Sequence, residues 1–281
     1  MTLPALLPGL ASPVGAAYAR LAEVFAGLSV TELGGDEPVP TGDGWVVAGD
    51  LAAGGQALDT FLAWDDAQVR RDYGRPARPD VIASFGLHRY AWSACLLITL
   101  PWFLDRRVPR LPAGSVAYQR ERGRMAVRVD GFACLPDDPA AVLPGARVVA
   151  DEEALRAEVR EAVAEHLTPV LAAFGPRMRR RGRALWGMAT DEVVEGLWYI
   201  AHLLGEERRG VTELERLFPG TTAPYVGTAG FREIPVPDGD PLPTRDRASC
   251  CMFYTLRPED TCVTCPRTCD ADRVRRLRQS A

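Results

Sequence analysis

The chain has 281 residues, 47 % of them apolar and 25 % charged, with a formal net charge of −4. That length builds one large domain or two ordinary ones around a sizeable core, so cysteines are not needed to staple the fold. The mild acidity excludes a general electrostatic affinity for nucleic acid or membrane surfaces, although every one of the 33 basic residues is arginine.

Met1 to Ala19 lacks a basic leading region, and Pro4, Pro8 and Pro13 interrupt its apolar character, so no export signal is expected there. Apolar residues at Leu21, Val24, Phe25 and Leu28 predict a helix over Ala16 to Leu28. Thr31 to Leu51 is rich in Gly, Asp and Pro and reads as loop, with one short strand at Trp45-Val46-Val47. Helices are predicted from Gln56 to Tyr73 and from Pro79 to Leu104, the second kinked or ended near Pro101. Its stretch Ala91 to Leu104 is too short to span a bilayer and reads as a buried helix. From Ser115 to Leu135 the period changes: Val116 and Tyr118, then Met125, Val127 and Val129, alternate with polar residues around Arg122-Gly123, as in a β-hairpin. Ala146 to Ala150 reads as a further strand.

Asp151-Glu152-Glu153 opens a long helix whose apolar face is Leu155, Val159, Val163, Leu167 and Leu171, and Gly175-Pro176 is expected to end it. Another long helix is predicted over Arg179 to Leu204, with Leu185, Met188, Val193, Leu197 and Ile200 inward. Phe231 to Arg247 holds Pro235, Pro237, Pro241 and Pro243 and reads as an irregular crossing. The fold class is therefore α+β, mostly helical with a small antiparallel sheet and a C-terminal metal-binding segment.

That segment carries the chemistry. Cys250-Cys251, ten residues, then Cys262-x-x-Cys265 gather four thiols within 16 residues. Thiolates select iron–sulfur clusters, zinc or Cu(I), and a [2Fe–2S] cluster takes four. Cys₄ zinc sites are usually two CxxC-like pairs, which a vicinal Cys-Cys fits poorly. Adjacent cysteines point to opposite faces of a strand, so both can ligate only if the backbone bends there. Cys95 and Cys134 lie in apolar surroundings and read as core residues; Cys269 reads as a bystander. His88, His166 and His202 are scattered and read as helix-face or core residues. The run from Arg177 to Arg183 reads either as a solvated helix start or as a dock for an acidic partner, and Trp186 as core or pocket lining.

The pattern Cys250-Cys251-x₁₀-Cys262-x₂-Cys265, with Met252-Phe253-Tyr254 after the pair and Pro266 after the last cysteine, resembles the C-terminal signature of the FhuF-type ferric-siderophore reductases. Arg183-Ala184-Leu185-Trp186-Gly187 is similar to that family's Arg-x-Leu-Trp-Gly segment. The resemblance implies a cytoplasmic [2Fe–2S] oxidoreductase with Cys250, Cys251, Cys262 and Cys265 as cluster ligands, reducing chelated Fe(III) and releasing Fe(II). It divides the chain into a siderophore-binding body, 1–235, and a cluster-binding segment, 236–281, packed on it. Arg179, Arg180, Arg181, Arg183 and Trp186 are candidate docking residues for substrate or electron donor. No Gly-x-Gly-x-x-Gly follows a strand, so the electron is expected from a ferredoxin or flavoprotein. A cluster-based redox or iron sensor, an electron carrier, and a siderophore-binding module with structural zinc are the alternatives.

Overall fold

The computed structural model describes residues 12–220, 222–237, 239–259 and 261–280. Residues 1–11 of the stretch read as lacking an export signal lie outside these described residues. Helix α1 (Gly15–Val24) ends earlier than its apolar pattern predicts. Phe25 is extended, and the chain turns through Gly27 into strand β1 (Ser29–Glu32). Strand β2 (Trp45–Val47) is the expected one. It runs directly into a short helix, α2 (Ala48–Ala53), within the stretch read as loop. Helix α3 (Gly55–Tyr73) closes on Gly74 in the left-handed conformation that glycine adopts without penalty.

Helix α4 (Pro79–Asp105) is apolar all round and is accordingly buried on all sides. It is long and apolar enough to cross a membrane, yet 78 % of its apolar window is inside the fold, against α5 and α6. The expected break at Pro101 does not occur. Proline removes the N–H that would bond the carbonyl four residues back, at Leu97. The Tyr18 hydroxyl donates to that carbonyl at 2.8 Å, so the helix continues to Asp105.

Strands β3 (Val108–Pro109), β4 (Val116–Gln119), β5 (Arg124–Val127), β6 (Phe132–Cys134) and β7 (Ala146–Val148) follow. The predicted hairpin is β4–β5, with Val116 opposite Val127 and Tyr118 opposite Met125. The sheet is mixed rather than purely antiparallel. Its order is β1-β5-β4-β2 with β1 parallel to β5, and a second sheet β3-β6-β7 pairs β6 parallel to β7. Parallel pairing needs a long crossover, here the helices between β1 and β5.

Helix α5 (Glu152–Met178) is capped by the Asp151 side chain, which accepts from Ala154 N at 2.9 Å. It runs past Gly175-Pro176, because the carbonyl that Pro176 leaves without an N–H belongs to the exposed Ala172; left-handed Arg179 stops it instead. Helix α6 (Gly182–Leu203) therefore starts three residues later than predicted, and the arginine run forms the α5–α6 corner. Helix α7 (Glu207–Leu217) packs on α6. The proline-rich stretch is not irregular: β8 (Phe231–Ile234) and β9 (Leu242–Arg245) form an antiparallel ribbon with Pro243 opposite Glu233. A two-stranded ribbon has an outer edge on each strand, where a missing N–H costs no ladder bond. Helix α8 (Asp270–Ser280) closes the described chain.

Candidate iron–sulfur centre

Helix α6 supplies the bed on which the cysteine segment lies. Asp191 and Glu192 are fully buried in it, with Glu195 one turn on. Asp191 accepts from Arg245 Nη2 at 2.5 Å, from the backbone N–H groups of Ala248 and Ser249 at 2.9 and 2.8 Å, and from Ser249 Oγ at 2.7 Å. Arg245, itself fully buried, also donates to Glu195 and to the Ala229 carbonyl. One carboxylate thus fixes the chain immediately before Cys250. Gly187, from the Arg-x-Leu-Trp-Gly segment, faces this stretch: a Cβ there would sit in ordinary contact with Ala248, 3.4 Å from its carbonyl oxygen.

The chain turns immediately after the vicinal pair. Met252 has φ +66°, which turns the chain into a short 3-10 turn at Phe253–Thr255. Cys262 to Cys265 is a tight turn closed by Cys265 N donating to Cys262 O at 3.1 Å. Each of the four sulfurs is approached by a donor two residues downstream. Met252 N donates to Cys250 Sγ at 3.4 Å and Arg267 N to Cys265 Sγ at 3.5 Å, Phe253 N–H acts on Cys251, and Thr264 Oγ1 lies 3.9 Å from Cys262 Sγ while donating to Glu195 at 3.0 Å. Cys269 differs: it is exposed, its thiol donates to Asp272 at 3.4 Å, and its carbonyl receives Arg273 N at the start of α8. Cys95 and Cys134 are buried in the core, as read.

The segment is held from several sides. Met252, Leu256 and Phe253 pack with Val69, Val81, Ile82 and Phe85 of α3 and α4, Phe253 stacking on Phe85 at 6.2 Å. Ser84 Oγ donates to the Cys251 carbonyl at 3.1 Å and Arg180 Nη2 to the Cys250 carbonyl at 2.7 Å. Buried Arg273 donates to the carbonyls of Cys265, Thr268 and Arg245 and to Asp246. Of the docking candidates, Arg180 therefore reaches the segment itself. Arg179, Arg181 and Arg183 are exposed around it, and Trp186 packs edge-on against Tyr225 at 5.3 Å. Asp191, Glu192, Glu195, Ser84 and Arg273 carry no mark in the sequence reading. Three carboxylates interrupting the apolar face of a predicted helix were the available signal for the first three.

Arg247 is the electrostatic centre. It is 8 % exposed and lies 3.6–3.7 Å from carboxylate oxygens of Asp191, Glu192 and Glu195, while its Nε and Nη2 find no hydrogen-bond acceptor. Burial alone would lower its pKa; the three carboxylates outweigh that and raise it. Burial pushes the Cys262 thiol up to about 11 and the Cys251 thiol upward, and in both cases the Arg247 charge opposes the shift. Metal binding must therefore displace protons from these groups. Among the described residues no group of three or more His, Cys, Asp or Glu converges on the point a single ion would occupy. A binuclear cluster asks only for two sulfurs at each of two irons. Four sulfurs, two of them bonded by backbone N–H groups, beside a buried guanidinium with unused N–H groups, fit an anionic [2Fe–2S] centre, whose potential such hydrogen bonds raise.

Residues 247–267 match the family described as FhuF 2Fe-2S C-terminal domain. The match contains the four cysteines and stops short of Cys269, and it supports the FhuF-type assignment and a [2Fe–2S] cofactor. No curated protein matches the chain.

Proposed function

We propose that this protein is a cytoplasmic ferric-siderophore reductase whose Cys250, Cys251, Cys262 and Cys265 hold the cluster. When bound, a [2Fe–2S] cluster supplies a one-electron carrier, and one electron turns chelated Fe(III) into Fe(II), which hard oxygen donors hold far less tightly. The observation that carries the reading is the set of four free thiols inside the matched segment, three of them partly exposed and one buried, two bonded by backbone N–H groups. On this reading the partly exposed ligands leave the redox centre within reach of an external oxidant. Asp191 and Arg273 fix the backbone on either side of the ligands, and Arg247 supplies a positive charge against them. The electron enters from a ferredoxin or flavoprotein, for which exposed Arg179, Arg181 and Arg183, flanking the Arg180 that bonds Cys250, offer a basic landing surface.

The test uses anaerobically purified protein. Iron and acid-labile sulfide at two each per chain are expected, with a dithionite-reduced spectrum that a ferric siderophore discharges as a ferrous chelator turns colour. A reduced cluster indifferent to every ferric chelate would assign an electron carrier or sensor instead. Colourless protein holding one zinc would remove the redox reading.

A further inference from the structure

Two side chains join the cysteine pairs at the surface. The guanidinium of exposed Arg267 lies over the half-buried Tyr254 ring, 4.0 Å from its centre. Tyr254 follows Cys251 by three residues and Arg267 follows Cys265 by two, so the Cα separations are at most about 11 and 7 Å even in a fully extended chain. Each side chain projects from a pinned turn. Thr255 N donates to the Met252 carbonyl at 2.9 Å across the 3-10 turn that carries Tyr254. Thr268 N donates to the Cys265 carbonyl at 3.0 Å, closing the turn Cys265-Pro266-Arg267-Thr268. Pro266 occupies the first central position of that turn, where its fixed φ is favourable, and buried Arg273 holds the carbonyls of Cys265 and Thr268.

Arg267 therefore acts in two directions. Its backbone N–H donates to Cys265 Sγ at 3.5 Å, while its side chain stands at the surface. A guanidinium held over an aromatic face keeps its N–H groups in its own plane, where they match oxygen acceptors in a two-bond fork. A ferric siderophore presents such acceptors, because the oxygens that bind its iron carry negative charge. Chelated Fe(III) takes up one electron from the reduced centre and becomes Fe(II), so the complex ends one unit more negative; no bond to the protein forms or breaks. A guanidinium on those oxygens thus favours the product of the transfer over its substrate.

We propose that Arg267, steadied by Tyr254, is the substrate-positioning residue and seats a ferric chelate by its iron-bound oxygens beside Cys265, an inference that rests on the reductase reading above. The probe is gallium(III) tris(acetohydroxamate), which has the charge of its iron counterpart, carries no peripheral groups and accepts no electron. It is titrated calorimetrically into cluster-loaded protein, and wild type should bind it. Arg267→Gln keeps the backbone N–H on Cys265 and should weaken binding about tenfold, the loss expected for a hydrogen bond from a charged group. It should slow discharge of the dithionite-reduced cluster by ferric tris(acetohydroxamate) by a similar factor, with melting, iron and sulfide content and visible spectrum unchanged. Tyr254→Phe keeps the ring and should match wild type, whereas Tyr254→Ala should weaken binding about threefold through loss of the cation–π contact. Equal binding by wild type and Arg267→Gln, or none by wild type, overturns the site. Equal binding with a lowered midpoint potential would mean that Arg267 acts only on the charge of the centre. Discharge of the Arg267→Gln cluster at the wild-type rate upholds the reductase reading and overturns the site alone. Gallium complex bound in an Arg267-dependent way, by a protein whose reduced cluster no ferric chelate discharges, upholds the site and overturns the reductase reading.

Discussion

Asp191 lies on the buried side of α6 and accepts four hydrogen bonds, two of them from the backbone just before Cys250. An asparagine there would keep the shape, turn an amide N–H₂ toward donors, and leave the buried Arg245 charge short of a counter-ion. Removing one member of a buried pair costs about 3–5 kcal/mol. Asp191→Asn should therefore lower the melting temperature and shed iron and sulfide on desalting; a variant that melts with wild type and keeps its colour would show that the segment is held elsewhere. His88 faces the same bed: its Nδ1 lies 2.6 Å from Glu192 Oε1. Burial would lower its pKa, but the Glu192 charge and contact outweigh that and raise it, with Glu195 assisting and Arg247 opposing. A histidine raised in the fold contributes its full stability below the unfolded value, about pH 6.5, and loses it as pH rises through the folded value. Buried His166 has the opposite sign, its pKa lowered by desolvation, but wild type and a His88 variant share it. Stability of wild type relative to His88→Gln should thus fall as pH rises above about 6.5. Parallel melting profiles from pH 5.5 to 8.5 would sink this.

At the scale of elements, what was legible followed from unambiguous periodicity. α3, α5 and the β4–β5 hairpin have patterns that one period explains, and α4 was legible as a long, continuously apolar run. β1 was missed because its four residues are specified by a parallel partner nearly a hundred positions away. The β8–β9 ribbon was missed because its prolines argue against a central strand and say nothing against an edge. The cysteine ligands stood out through spacing alone, whereas Asp191, Glu192 and Glu195 look like solvated helix charges until Arg245 and Arg247 arrive some fifty residues later. The turn that follows the vicinal pair is likewise invisible, since Met252 is not a residue associated with positive φ. It occupies that conformation because its side chain is buried with Val81, Ile82 and Phe85. Holding a non-glycine residue there costs about 1–3 kcal/mol, and β-branching aggravates it. Met252→Val should lose most of the cluster, while Met252→Leu, which keeps the apolar contact without branching at Cβ, should retain it. Equal iron content in the two variants would mean that the turn does not depend on Met252.

For the whole molecule, the packing gives the cysteine segment two distinct flanks. α4 is the central core helix, and near its N-terminal end it meets the segment through Ser84 and Phe85. The α5–α6 corner touches the Cys250 side through Arg180, while the end of α3 meets the loop before Cys262 through Arg75 and Tyr73. The chain as a whole is acidic, at −4, so an acidic donor gains steering only from a local basic field. Arg179, Arg181 and Arg183 provide one, and Arg180 is to be left intact because it bonds the segment. Replacing these three with glutamine should slow reduction by an acidic ferredoxin on the order of tenfold at low ionic strength. The two proteins should converge near 1 M salt, where the Debye length is about 3 Å. The variant's plot of log rate against ionic strength should accordingly be flatter. Its midpoint potential should not move, because neither Asp191 nor Arg247 has been touched. Stopped-flow reduction across a salt series decides it: identical slopes for wild type and variant would mean that the donor lands elsewhere, and a shifted potential would mean that the corner acts on the centre rather than on the partner.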